Sequence, residues 1–194
     1  MTTLAPSPTR FTRSDYYRML DAGVFQRRRV ELVAGEIIEM PPMKNAHAVA
    51  IGLCEDELRR VFGRGHWVRV QMPLALNGSS EPQPDLAVVK GSPVDFKDHP
   101  KSALLTVEVS DSTLSYDQID KASLYAKHRL PDYWIINLVD GQLEIYRDPV
   151  ADRTRRFGFR YATILTLPPG DVAVPLAKPR AKIAIAKLLP PPTA

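Results

Sequence analysis

The sequence predicts a single domain of mixed α/β or α+β class. Three observations carry this. Hairpin signatures, two apolar runs around a tight turn, occur at Ala34-Gly35 and at Asp140-Gly141. Between them lie segments with helical character, the clearest at residues 45–62. No internal repeat or long linker divides the 194 residues, a length that supports one domain with a real core.

The elements follow in order. Residues 1–10 read as a loose arm. Thr12 and Asp15 have capping-box spacing at the head of a helix, and Gly23 suits its stop. RRRVELVAGEIIEM reads as two short strands, and MPPMKN breaks the chain. From Asn45 to Phe62 a helix is predicted, with Ile51, Cys54, Leu58 and Val61 in one stripe. HWVRVQMPLAL alternates, which puts Val68, Val70, Met72 and Leu74 on one face of a strand. NGSSEPQPD is a loop in which Pro82 and Pro84 bias Glu81 and Gln83 toward extended geometry. LAVV is a short buried strand, GSPVDFKDHPKS a polar loop, and SALLTVEVSDST a further strand. A helix from about Tyr116 to Arg129 ends before Pro131. DYWIINLV and QLEIYRD form the second hairpin, and FRYATILTL is one more strand. The domain is therefore set at residues 11–177, and 178–194 are read as a basic, proline-rich tail, peripheral or mobile.

Composition narrows the function classes. The net charge is +4, but Lys178, Arg180, Lys182 and Lys187 of the tail account for all of it. A charge-balanced body argues little for or against nucleic acid. No apolar run reaches the roughly eighteen residues of a membrane span, and no secretory signal is seen at the start. The lone Cys54 excludes an internal disulfide and is compatible with a reducing cytoplasm. Zinc spacing, a glycine-rich phosphate loop and G-x-S-x-G are all missing from the sequence.

One residue does not fit its strand. In LTVEVS, Leu105, Val107 and Val109 share one face, and Glu108 points to the other with Thr106 and Ser110. Asp85, at the head of LAVV, is a second acid in a matching position. If the two strands pair there, the carboxylates meet, and a pair so close protonates unless a cation intervenes. Hard oxygen ligands suit Mg²⁺. On the next helix Asp117, Lys121 and Tyr125 are four residues apart and share a face. From there Lys121 could reach the cation's water or a phosphate oxygen.

This pattern resembles the PD-(D/E)XK nuclease superfamily. Pro84-Asp85 matches its "PD" and Glu108 its second acid. The usual lysine two residues on is replaced by Ser110. One branch carries its lysine on the following helix, and the chain resembles that branch, a restriction-endonuclease-like family of bacterial proteins formerly described as a domain of unknown function. The resemblance covers residues 25–148 through VELVAGEIIEM, the helix with His47, QPDLAVV, LTVEVSDST and DKASLYAKHRLPDYWIINL. Family members often have Asp at Asn137, and Asp-Gly at Ala34-Gly35. The resemblance implies a central sheet flanked by helices, with acids at one end. It implies a Mg²⁺-dependent endonuclease (Mn²⁺ being possible) acting on DNA, with Asp85, Glu108 and the Val109 carbonyl as metal ligands and Lys121 and Glu31 as catalytic partners. A homodimer would suit the cutting of both strands.

Plainer readings stand beside these. Glu108 is a solvated edge residue or a ligand, and Asp85 a turn residue or a ligand. Asp117 and Lys121 could form a surface ion pair, the favoured reading for Asp117. Glu31 could pair with Arg27, Arg28 or Arg29. His47 is a core-edge residue or a phosphate contact; Gln83 touches substrate or only its loop; Tyr125 is packing or site. Trp67 and Trp134 read as core or dimer contacts, not as base-stacking platforms. Two other functions compete with the nuclease: a non-catalytic nucleic-acid-binding or protein-interaction module that keeps the fold, and a glycosidase using the two acids.

Overall fold

The computed structural model describes residues 7–191. Most of the arm expected at residues 1–10 and the last three residues of the tail lie outside that range. Helix α1 (Arg13–Asp21) opens on the Thr12/Asp15 capping box, and Gly23 follows it at φ +69°. Strands β1 (Val30–Val33) and β2 (Glu36–Glu39) pair antiparallel. Their turn uses positive φ at both Ala34 and Gly35, as a two-residue hairpin demands. Helix α2 (Asn45–Phe62) has the predicted bounds.

Six strands form the central sheet: β3 (His66–Val70), β4 (Leu86–Lys90), β5 (Leu105–Ser110), β6 (Asp132–Asn137), β7 (Gln142–Ala151) and β8 (Phe159–Leu167), in that spatial order. All neighbours are antiparallel except β5 and β6. A parallel pair needs a crossover, and helix α3 (residues 114–127) provides it. A small ribbon, β9 (Val172–Ala173) with β10 (Ile183–Ala184), follows.

Alternation along the strands makes two cores. Leu105, Val107 and Val109 face α2, where they pack with Ile51, Cys54 and Leu58. On the other face Tyr133 and Ile135 of β6 and Tyr146 of β7 pack against Leu124 and Tyr125 of α3. Glu108 lies on this α3 side. Among the described residues no helix is long and apolar enough to cross a membrane.

Two expectations are corrected. The strand predicted through HWVRVQMPLAL stops at Val70, because Gln71 adopts φ +49° and turns the chain. Met72 is then 39% exposed and Leu74 fully buried, so they do not share a face. The tail is not peripheral throughout: Ile183, Ile185 and Leu188 are fully buried in the α2-side core. Lys182 and Lys187, and the prolines at either end of the stretch, mask its apolar spacing.

Candidate active site

The β4–β5 register sets Leu86 opposite Val107, so Asp85, one residue before β4, stands opposite Glu108. Pro82 and Pro84 hold the approach extended, and a bridge from Glu81 to Leu32 ties it to the first hairpin. The Asp85 N–H donates to Glu108 Oε2 at 3.2 Å, and the Val109 N–H donates to Asp85 Oδ2 at 2.9 Å. Both acids are 4% exposed. The solvated-edge reading of Glu108 therefore fails, since β5 is an interior strand.

Glu31, fully buried on β1, completes a triad around Lys121. Lys121 Nζ lies 2.9 Å from Glu31 Oε2 and 3.1 Å from Glu108 Oε1. The Tyr125 hydroxyl donates to Glu108 Oε1 at 2.6 Å, and the Gln83 N–H donates to Glu31 Oε2 at 3.0 Å. Burial disfavours the Lys121 ammonium, but Glu108 and Glu31 outweigh it and hold its pKa well above the usual value. Its side chain is fully enclosed and sits behind Glu108, not on the cleft surface.

The helical spacing that placed Asp117 and Lys121 together as a surface pair does not hold. Residues Asp117–Lys121 form a π-helical turn, which needs one extra residue per hydrogen-bonded ring and so rephases the two side chains. Asp117, 2% exposed, accepts from the hydroxyls of Ser110 and Thr113 at 2.7 Å each. It faces the same cleft as Asp85 and Glu108. Ser110, two residues after Glu108, thus anchors an additional acid.

Arg29, His47, Asp85, Glu108, Val109 and Asp117 line that cleft, and Gln83 stands at its side. His47 Nε2 is 3.1 Å from Asp85 Oδ2 but outside hydrogen-bond geometry, so it is enclosed without a partner. The Arg29 guanidinium is 3.7 Å from Asp85 Oδ1. Sequence reading offered Arg29 only as a partner for Glu31, and nothing in its local pattern points across to Asp85. Gln71 was also missed; its amide donates to Asp85 Oδ1 at 3.2 Å.

The acids differ electrostatically. Burial pushes the Glu108 carboxyl up to about 8 against the pull of Lys121, and Asp117, Asp85 and Glu31 add repulsion. Burial likewise lifts Asp117 to about 6. For Asp85 burial acts upward too, but His47, the Val109 amide and Gln71 outweigh it and hold the carboxyl below its ordinary value.

Two opposed carboxylates on one cleft supply hard oxygen donors, the chemistry a divalent cation such as Mg²⁺ prefers. Among the described residues no three His, Cys, Asp or Glu side chains are arranged to enclose an ion. The pair suits a cation that keeps much of its own water.

The family model described as Uma2, "Putative restriction endonuclease", matches residues 13–178. The chain belongs to the Uma2 family. Its fold agrees. A crystal structure of a "putative nuclease belonging to DUF820" from Anabaena variabilis ATCC 29413 superposes with TM-score 0.67 at 16% identity, covering 92% of this chain and 97% of that one. A comparison with curated proteins finds no match. The Uma2 chain therefore has a restriction-endonuclease-like fold of the nuclease kind, with the polar face of β5 turned to its cleft.

Proposed function

We propose that the chain is a Mg²⁺-dependent endonuclease that hydrolyses phosphodiester bonds of DNA. The observation that carries this is the meeting of Asp85 and Glu108 across β4 and β5, with the Lys121 ammonium 3.1 Å from Glu108 Oε1. In this reading Asp85, Glu108 and the Val109 carbonyl hold the ion. When bound, Mg²⁺ (or Mn²⁺) polarises the scissile phosphate and makes a water more acidic. Lys121, braced by Glu31, orients Glu108 and offsets its charge, and Tyr125 fixes the same carboxylate from the other side. Arg29 and His47, which line the cleft, take phosphate oxygens, and Gln83 borders the strand. Two copies acting together suit cleavage of a duplex in a reducing cytoplasm.

The test is cleavage of plasmid and single-stranded DNA with Mg²⁺, Mn²⁺ or EDTA. The parent should cut only with a divalent ion, and Glu108→Gln and Asp85→Asn should not cut. Cleavage in EDTA, or cleavage that survives both substitutions, overturns the proposal. A second reading, a binding module without catalysis, is favoured by one observation: the Lys121 side chain is fully enclosed and away from the cleft surface. Calorimetry separates the two. Mg²⁺ or Mn²⁺ binding lost in Asp85→Asn supports the enzyme, and no heat of binding supports the module.

A further inference from the structure

A second polar site lies beside edge strand β3. Arg69 is 2% exposed, yet no carboxylate among the described residues pairs with it. Burial alone acts on its guanidinium, lowering the pKa. Its Nη2 donates to the Pro73 carbonyl at 2.9 Å and lies 3.1 Å from His99 Nδ1, while its Nε is enclosed without a partner. An unpaired buried charge is expensive, and a fold that keeps one usually presents it to something. Here the guanidinium stacks 4.3 Å from the Trp67 ring, and Phe96 tilts over the same indole at 5.7 Å. Tyr17, Trp67, Arg69, Met72, Phe96 and Lys97 line a groove of about 410 Å³, within the range of small-molecule sites. Asp98 is also in its wall, but its carboxylate is held by Arg13 at 3.0 Å.

We propose that this groove is a nucleotide-binding subsite. It takes a nucleobase against Trp67 and Phe96 and the attached phosphate on Arg69 and Lys97. Aromatic faces stack bases of any sequence, and an arginine already lying on an indole adds a cation to the platform. The placement links it to the cleft. The 71–85 segment gives Met72 to the groove and Gln83 and Asp85 to the cleft, and Gln71, two residues beyond Arg69, donates to Asp85. Strand β3 stands two strands from β5, about 10 Å across the sheet. A nucleic-acid strand held at the cleft could therefore seat a nearby unpaired nucleotide here. The inference rests on the proposed function for its substrate class.

The test uses tryptophan emission with EDTA present. Trp134 is fully buried, so quenching by an added ligand reports Trp67. Adenosine 5′-monophosphate should quench saturably, and adenosine, lacking the phosphate, should bind about tenfold more weakly. Phe96→Leu and Lys97→Ala, both outside the fully buried core, should each weaken the effect about fivefold or more. Quenching by the mononucleotide assigns a pocket that also takes free nucleotides; quenching only by a single-stranded oligodeoxynucleotide assigns a strand subsite. Either result supports the proposal. It is overturned if neither ligand quenches, or if both variants quench as the parent does. Because cleavage is not read here, loss of metal-dependent cutting leaves this result intact, and a failed titration leaves the cleavage reading intact.

Discussion

Replacing Lys121 by Met tests the electrostatics of the site directly. Lys121 Nζ bridges Glu31 Oε2 at 2.9 Å and Glu108 Oε1 at 3.1 Å, and its side chain is fully enclosed. Met keeps most of the volume and removes the ammonium between the two acids. Breaking a buried ion pair by deleting one partner costs about 3–5 kcal/mol. The figure is large because the remaining charge stays desolvated. With a urea slope of roughly 2–3 kcal/mol per molar, the midpoint should fall by about 1–2.5 M. Glu108→Gln is the opposite case. Its carboxyl is already lifted to about 8 by burial, so an amide replaces a largely neutral group, Lys121 keeps Glu31 at 2.9 Å as its counter-charge, and the change should cost less than Lys121→Met. The assay is urea unfolding followed by far-ultraviolet circular dichroism with EDTA present. The reasoning is refuted if Lys121→Met unfolds at the parent midpoint, or if Glu108→Gln is the more damaging change.

Stability of the metal-free chain should fall as pH rises from about 5 to about 9. The folded pKa values of Asp117, about 6, and Glu108, about 8, exceed their ordinary ones. Such groups stabilise fully below the unfolded value and lose that contribution as pH passes the folded one. A urea midpoint that climbs across this window contradicts the assignment, and Glu108→Gln should flatten the alkaline part. Leu188→Ala removes a fully buried side chain from the α2-side core and should cost about 2–5 kcal/mol by the same unfolding assay. Gly35→Ala would set a Cβ 2.9 Å from Arg10 Cβ at φ +80°, and a loss of about 1–2 kcal/mol should appear as a lower thermal midpoint.

Local codes were readable where the chain settles its own conformation. The Thr12/Asp15 cap, the Ala34-Gly35 turn and the 45–62 helix depend on near neighbours, and the structure has each of them. The opposition of Asp85 and Glu108 was legible from alternation and the proline-stiffened approach. What escaped depends on contacts distant in sequence or on a shifted period. Asp117 looked like a surface charge because four-residue spacing assumes an α-helix, whereas residues Asp117–Lys121 form a π-helix. Arg29 points across to another element, which its flanking arginines hide. The buried Ile183, Ile185 and Leu188 belong to one apolar run, IAIAKLL, too short to stand out between Pro179 and Pro190.

The ammonium that joins Glu31 to Glu108 comes from a position 90 residues after the first of these acids. During synthesis Glu31, Asp85 and Glu108 all emerge before it. A nascent chain therefore carries Glu31 and Glu108 without the ammonium that joins them, and truncated translation products ending before Lys121 cannot assemble that arrangement at all.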